Sequence, residues 1–211
     1  LIPAAFMTEG IDQTRGWAYT LLMQNVILTG TPVAPFKSFL FQGHVLDEKG
    51  NKMSKSIGNV IDAHTLLNEN AVDLIRFYFM WKSSPIESLN FSLTEMATRT
   101  YQIMSTLYYL HIYFRDNSNF DKFNIEKNNL QWAIQSNLLR IPDSWVLSKL
   151  QLVIKEVGSA FGKCRFHDGA KSIEEFIINT LSQTYVPVTR NEIWDDSMET
   201  LPRRLAIYSV L

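Results

Sequence analysis

The sequence contains a single cysteine, Cys164, among its 211 residues. One cysteine excludes a disulfide within the chain and a zinc site built from several cysteines. The formal net charge is -1, so the overall charge gives no reason to expect a nucleic-acid partner. No apolar run reaches the roughly 18 residues that a membrane helix needs, and the start of the chain lacks the pattern of a signal peptide. The composition predicts an ordinary folded soluble protein.

Metal-binding and hydrolytic motifs are also missing from the sequence. The four histidines do not show the spacing of metal ligands, so no metal site is predicted. No serine elbow and no pair of carboxylates suggests a hydrolase. The chain opens at Leu1 rather than at a methionine, and we expect it to be a piece of a longer polypeptide.

Residues 49–59, here called the lysine loop, concentrate the polar chemistry of the chain. They contain Lys49, Lys52, Lys55, Ser54, Ser56, Gly50 and Gly58. Glycine adopts positive φ at little cost, so a turn is predicted at each end of the loop. Lysine ammonium groups on flexible stems suit a mobile loop that binds phosphate oxygens. The alternative is a solvated basic turn between a strand and a helix.

The segments around the lysine loop predict a strand–helix–strand unit. Residues 1–7 and 36–46 have the apolar character of strands, and residues 14–29 show helical periodicity. Strands joined in this way are parallel, and ligands bind beyond their carboxyl ends. We therefore expect the polar segment 9–13 and the lysine loop to face one pocket.

Each polar residue after the first strand has a possible role in that pocket. Glu9 and Asp12 could bind an ammonium group or ribose hydroxyls, and Gln13 can both donate and accept hydrogen bonds. Trp17 could form the wall of an apolar side-chain pocket. On chemistry alone, a helix N-cap at Asp12 and a core position for Trp17 are the commoner roles.

His44 and Val45 lie on the predicted second strand, just before the lysine loop. An imidazole edge and neighbouring backbone groups could bind the base of a nucleotide. A lone histidine on a strand is more often packed inside the protein, so this alternative stays open.

Two segments resemble a known enzyme family. Lys52 to Ser56 matches the KMSKS signature of the class I aminoacyl-tRNA synthetases, and Glu9 to Trp17 is similar to the corresponding segment of isoleucyl-tRNA synthetases. Ala18 departs from the aromatic residue that many relatives carry. The resemblance implies three groups of site residues. They are Lys55 and Lys52 as catalytic residues, Lys52, Ser54, Lys55, Ser56, His44 and Val45 as ATP-binding residues, and Glu9, Gly10, Asp12, Gln13 and Trp17 as aminoacyl-adenylate-binding residues.

The resemblance extends along nearly the whole chain and implies three parts. Residues 1–61 would form the C-terminal part of a Rossmann catalytic domain, residues 62–92 a helical connector, and residues 93–211 an anticodon-binding helical bundle truncated at its end. The implied fold is an α/β region, part of a Rossmann-type parallel sheet, followed by an all-α bundle. Within the connector, Asp62 is a plausible N-cap and Ala63 replaces the family's proline.

Helical periodicity runs through the second half of the chain. Apolar stripes predict helices over 94–114, over 143–161 with Asp143 as N-cap, from Asp168 onward and over 201–211. These stripes are interpreted as bundle core. Four aromatic residues could instead stack on anticodon bases, although packing is the commoner role for large aromatics. They are Trp132, Trp145, Tyr185 and Trp194.

The implied activity is that of an isoleucine–tRNA ligase in the cytoplasm. Isoleucine would be activated with ATP and Mg²⁺ and transferred to tRNA(Ile). The remainder of the polypeptide would supply the HIGH motif and an editing domain, so the 211 residues alone are predicted to be inactive. Two alternatives remain: a sibling enzyme for valine, leucine or methionine, and a non-catalytic tRNA-binding module.

Overall fold

The computed structural model describes residues 3–211, which form two compact units. The first unit comprises the chain up to Ala97 together with Ala160–Asp168. The second comprises Thr98–Ser159 and Gly169–Leu211. Within the part of the chain that is described, no helix combines the length and apolar character required to cross a bilayer.

The first unit begins with the predicted parallel strand–helix–strand arrangement. Strand β1 (Met7–Gly10) pairs in parallel with β2 (Phe39–Gln42), and helix α1 (Trp17–Thr29) connects them. The helix ends at Gly30, whose φ of 67° is left-handed, as expected for glycine after a helix. The fold class predicted from the sequence is confirmed, since a helical bundle follows this region.

The first strand lies further along the chain than expected. The prediction over residues 1–7 is wrong in its extent, because the strand starts at Met7 and includes Glu9 and Gly10. Leu1 and Ile2 fall outside the described residues. Before the strand, Ala4 forms only an isolated parallel bridge with Phe36. The polar residue Glu9 therefore belongs to the end of the strand rather than to the loop after it.

The single strand predicted over residues 36–46 is also wrong. The chain breaks at Gly43 into β2 and β3 (Val45–Leu46), and β3 pairs in parallel with β4 (Leu89–Asn90) instead. Gly43 donates its N–H to the carbonyl of Pro85 at 2.9 Å. A Cβ atom at Gly43 would lie 2.1 Å from the carbonyl oxygen of Glu87, so only glycine allows the two backbones to approach this closely.

Two helices, α2 (Ala63–Glu69) and α3 (Val72–Lys82), follow the lysine loop. The Asp62 carboxylate accepts a hydrogen bond from the Thr65 N–H at 2.9 Å, which confirms Asp62 as the N-cap of α2. Helix α3 contributes the core of the unit through Ile75, Phe77, Tyr78 and Trp81.

Beyond β4, the regular elements of the described chain are helices. Two segments are wound as π-helix, Met96–Thr100 and Phe176–Tyr185. The α-helices are α4 (Leu93–Glu95), α5 (Tyr101–Phe120), α6 (Leu130–Gln135), α7 (Ile141–Gly162), α8 (Phe166–Glu175), α9 (Val186–Ile193) and α10 (Leu201–Val210). The core of the second unit is formed by Val146, Tyr185, Ile193, Ile207 and Tyr208.

The apolar stripes and aromatics of this region are only partly buried. Tyr185 is 1% exposed and Trp145 packs against the core, which agrees with the packing interpretation. Trp194 is 63% exposed, and the Arg190 guanidinium carbon lies 5.4 Å from the centre of its ring. The prediction that this residue packs in the core is therefore wrong. On α5, the stripe residues Tyr101 and Tyr108 are likewise exposed.

A buried carboxylate in the second unit predicts a loss of stability in acid. Both Asp121 oxygens accept hydrogen bonds from Arg204, at 2.7 and 2.8 Å, and the Tyr208 hydroxyl donates at 2.7 Å. Burial alone would raise the pKa of Asp121, but these donors outweigh it and the net pKa is lowered from 3.8.

A carboxyl group with a lowered pKa stabilises the fold above its unfolded pKa, and this contribution disappears as the pH falls through the folded value. We therefore expect the thermal midpoint to fall once the pH drops below about 4. Circular dichroism melts over a pH series measure it. Asp121→Asn should flatten this part of the profile, and an unchanged profile would contradict the assignment.

Candidate functional site

The lysine loop leaves β3 through a tight turn. The Gly50 N–H donates to the Asp47 carbonyl at 3.0 Å, and the Asp47 N–H donates to the Asn51 carbonyl at 2.9 Å. Gly50 has a φ of 81°, and Leu46 and Lys52 form an isolated antiparallel bridge. The turn predicted at Gly50 is confirmed, and it reverses the chain so that Lys52 lies beside the strand end.

A second turn closes the far side of the loop. The Ser54 carbonyl accepts hydrogen bonds from the N–H groups of Ile57 at 3.2 Å and Gly58 at 3.1 Å. Gly58 has a φ of 75°, which confirms the second predicted turn. The Ser54 and Ser56 hydroxyl oxygens are 2.6 Å apart. Lys55 is thus placed at the tip of a compact turn, between two serines that hydrogen-bond to each other.

Both candidate catalytic lysines are exposed. Lys52 precedes Ser54 in the chain and Lys55 follows it, and within residues 3–211 no carboxylate lies close enough to either ammonium group to form an ion pair. An exposed ammonium group on a flexible stem can bind phosphate oxygens without first breaking a salt bridge. This geometry is compatible with the predicted phosphate-binding role.

Asp47 and Asn59 connect the two ends of the loop, and the sequence reasoning missed both. One Asp47 oxygen accepts from the N–H groups of Lys49 at 3.0 Å and Asn51 at 2.7 Å. The other accepts from the Asn59 side-chain amide at 2.9 Å. The amide of Asn59, followed by the backbone N–H of Asn51, lowers the pKa of Asp47 below its ordinary value. The sequence feature that could have indicated this contact is an acid before the lysines and an amide after them.

The segment after β1 forms a 3₁₀ turn, Ile11–Thr14, which leads into α1. The Gln13 amide nitrogen donates to the Asp12 carboxylate at 3.0 Å, and its oxygen accepts from the Trp17 N–H at 3.3 Å. A Cβ at Gly10 would lie 2.6 Å from an Asp12 oxygen, and one at Gly16 would lie 2.7 Å from the Gln13 oxygen. The two glycines therefore leave the space that the acid and the amide occupy.

The commoner roles considered for Asp12 and Trp17 are wrong. Asp12 makes no capping hydrogen bond at the start of the 3₁₀ turn or of α1, where Gln13 provides the side-chain acceptor. Trp17 is 43% exposed and is not a core residue. Glu9 and Asp12 are also exposed. The polar residues and the indole are thus accessible to a ligand.

The polar segment 9–13 and the lysine loop follow strands of two different sheets, not two strands of one sheet as predicted. Glu9 and Gly10 lie at the carboxyl end of β1, opposite Phe41 and Gln42 of β2. The lysine loop follows β3, which belongs to the other two-stranded sheet. The prediction that the loop leaves the strand paired with β1 is therefore wrong, and a common pocket for the two clusters stays a prediction.

Val45 is the first residue of β3, and His44 directly precedes the strand. The His44 carbonyl accepts from the Leu89 N–H at 2.8 Å, while its side chain is exposed. Val45 is 42% exposed and borders a cavity of about 330 Å³ in the first unit. The cavity is lined by Leu40, Gln42, Gly43, Val45, Phe79, Met80, Ser83, Ser84, Pro85, Glu87, Leu89 and Phe166. Its wall is mainly apolar, with a few polar groups, which is typical of a small-molecule pocket.

Two family models match the chain. One, for tRNA synthetases class I (I, L, M and V), matches residues 1–92, and the other, for the anticodon-binding domain of tRNA ligase, matches residues 143–211. The isoleucine–tRNA ligase of Pyrobaculum aerophilum is 38% identical over all of this chain and 21% of its own length. That of Methanosarcina acetivorans is 36% identical over 99% of this chain and 19% of its own. The chain spans about a fifth of these relatives.

Solved structures of two synthetases share the fold. A Mycobacterium tuberculosis methionyl-tRNA synthetase in complex with methionyl-adenylate has a TM-score of 0.74 and 17% identity, over 99% of this chain and 39% of its own. A leucyl enzyme from Agrobacterium radiobacter K84, in a ternary complex with tRNA, has a TM-score of 0.67 and 18% identity, over 98% of this chain and 25% of its own. At such identity the likeness concerns the fold alone.

Proposed function

Because this chain belongs to the class I tRNA synthetases, we propose that it is part of an isoleucine–tRNA ligase. The complete protein activates isoleucine with ATP and transfers it to tRNA(Ile). The observation that carries this proposal is the lysine loop, which presents two exposed lysines at the phosphate-binding signature of the family. Isoleucine–tRNA ligases that match over nearly the whole chain support the choice of amino acid.

The proposed reaction needs no nucleophile from the protein. The isoleucine carboxylate attacks the α-phosphorus of ATP, and pyrophosphate leaves with the electrons of the broken phosphoanhydride bond. The residues of this chain contribute positioning and stabilise the negative charge that develops on the phosphate oxygens. Lys55, at the tip of the loop, is assigned the main part of that stabilisation and Lys52 a second part. One hydroxyl of the Ser54–Ser56 pair donates to the other, and the second can donate to the same phosphate oxygens.

The segment Glu9–Trp17 is assigned to the aminoacyl-adenylate. Glu9 and Asp12 bear exposed carboxylates suited to the substrate ammonium group and ribose hydroxyls, and Gln13 orients Asp12 through the hydrogen bond between them. The exposed face of Trp17 can form an apolar wall for the isoleucine side chain. Val45 borders the cavity beside β3, where the adenine base is assigned, and His44 precedes it.

Mg²⁺ is proposed to arrive with ATP. Residues 3–211 gather no group of three or more carboxylates, imidazoles or thiols that could hold a metal ion, so no residue of this chain is assigned to it. Magnesium bound through substrate phosphates keeps several waters and needs few protein ligands.

The second unit is proposed to bind tRNA, which is supported by the match of its sequence to an anticodon-binding domain.

The test is amino-acid-dependent ATP–pyrophosphate exchange by the complete reading frame that contains this chain. Isoleucine, valine, leucine and methionine are compared at equal concentrations. We expect isoleucine to give the highest kcat/KM, with valine lower by roughly 10- to 200-fold because one methylene contributes little binding energy. Preference for leucine or methionine would assign the protein to a sibling enzyme. Binding of tRNA without any exchange would favour a non-catalytic module.

A further inference from the structure

Asn59, the last residue of the lysine loop, contacts both sides of it. Its side-chain nitrogen donates to the Asp47 carboxylate at 2.9 Å and to the Lys52 carbonyl at 3.3 Å. Its side-chain oxygen accepts from the Ser54 N–H at 2.8 Å. One amide group thus fixes the backbone on either side of Met53, between the two candidate catalytic lysines.

Asp47 holds the other end of the loop. Its carboxylate accepts from the backbone N–H groups of Lys49 and Asn51 and from the side chain of Asn59. These donors lower its pKa, so the group is ionised at neutral pH and both oxygens act only as acceptors. The carboxylate therefore accepts the hydrogen bond that the Asn59 amide nitrogen donates. This hydrogen bond joins two residues that are twelve positions apart in the chain.

We propose that Asp47 and Asn59 are positioning residues that hold the lysine loop in the geometry from which Lys52 and Lys55 bind phosphate. The inference rests on the proposed function, because the reaction supplies the phosphate. Neither residue needs to touch the substrate. The pair acts through the backbone at Lys52 and Ser54, and a small displacement of a lysine ammonium group at a reacting phosphate is enough to slow the reaction.

The chemistry of the pair allows a test by exchange of the two side chains. In Asp47→Asn, an amide nitrogen or a weaker neutral acceptor faces the Asn59 nitrogen. In Asn59→Asp, two carboxylates face each other. The double variant Asp47→Asn/Asn59→Asp restores one donor and one acceptor between the positions. In that variant the amide oxygen at position 47 still accepts from the backbone, and the carboxylate at position 59 still accepts from the Ser54 N–H. Only the 3.3 Å contact with the Lys52 carbonyl is lost, because a carboxylate cannot donate to it.

The experiment measures kcat per adenylate-forming site and KM for isoleucine by pyrophosphate exchange, using the complete protein. We expect each single variant to lower kcat by about 100-fold with little change in the KM for isoleucine, and the double variant to be clearly more active than either single variant. Asp116→Asn and Asn68→Asp make the same chemical changes at exposed positions outside the loop and serve as controls. A purely structural role would lower the fraction of active protein and leave kcat per active site unchanged.

Limited trypsin digestion provides a readout that does not depend on catalysis. Trypsin cleaves after lysine, so the rate of cleavage after Lys52 and Lys55 reports how often the loop opens. Each single variant should be cleaved faster than the native protein, and the double variant more slowly than either single variant. If a single variant had a lower melting temperature, the double variant would still test the positioning role, because it carries both substitutions.

The outcomes separate the two proposals. A native protein that exchanges pyrophosphate, with single variants as active as the controls, would overturn the positioning role and keep the proposed function. A double variant no better than the single variants, at an unchanged melting temperature, would overturn it as well. A native protein without exchange for any amino acid would overturn the proposed function, and the trypsin rates alone would then decide whether the pair holds the loop.

Discussion

In the complete protein, replacing Lys55 by alanine is expected to lower kcat for the proposed isoleucine-dependent pyrophosphate exchange by roughly 100- to 1,000-fold, the usual effect of removing a group that stabilises developing charge. Lys55 is exposed at the tip of the turn closed by the Ser54 carbonyl, where its ammonium group can follow the phosphates through the reaction. Since the interaction strengthens as charge develops, kcat should fall more than the KM for ATP rises. Initial-rate exchange over a range of ATP concentrations measures both.

Two further variants test whether position or charge decides the effect. Lys49→Ala removes an ammonium group from the first turn of the same loop, where only the backbone N–H of Lys49 contacts Asp47, and should have a much smaller effect. Lys55→Arg keeps the charge on a planar group of different shape and should recover only part of the rate. Equal losses for Lys49→Ala and Lys55→Ala would mean that the loop acts through its total charge.

The parts of the site that could be predicted from the sequence depend on local chemistry. The turns at Gly50 and Gly58 followed from the conformational freedom of glycine, and the Asp62 cap followed from a carboxylate placed three residues before a free N–H. The parallel pairing of β1 and β2 followed from the helix between them. The roles of the individual site residues and the three-part domain division remain predictions.

The features that were missed depend on partners distant in the chain. The break at Gly43 is set by the backbone of Glu87, which periodicity in residues 36–46 could not reveal. The pairing of Asp47 with Asn59 requires the loop to fold back on itself. Exposure of Trp17 and Trp194 contradicts the general preference of large aromatics for packing, and only the packed structure distinguishes these two from Tyr185.

The role of Asp143 also depends on partners distant in the chain, and its loss is expected to have a large effect on the free energy of unfolding. The sequence predicted an N-cap, but Asp143 lies inside the first turn of α7 and is fully buried. It accepts from the Arg203 guanidinium at 2.7 and 3.2 Å, from the Tyr185 hydroxyl at 2.7 Å and from the Arg140 N–H at 2.6 Å. Burial, followed by the charge of Asp143, raises the pKa of Tyr185, so this hydroxyl stays protonated as a donor.

We therefore expect Asp143→Ala to destabilise the second unit by about 3–5 kcal/mol, because it leaves the buried Arg203 guanidinium without one of its carboxylate partners. Arg203 would retain its contact with Glu192 at 2.6 Å, which places the effect toward the lower end of that range. Hydrogen exchange of peptides from α7 and α10 measures the local free energy of opening.

The matched control is Asp116→Ala, which breaks an exposed ion pair with Arg115 and should cost less than about 1 kcal/mol. In a double-mutant cycle, Asp143→Ala combined with Arg203→Met should cost less than the sum of the single changes, because the second change removes the unpaired charge that the first creates. Strict additivity would mean that the two groups stabilise the bundle independently, and that packing around α7, rather than the buried charge pair, determines the loss.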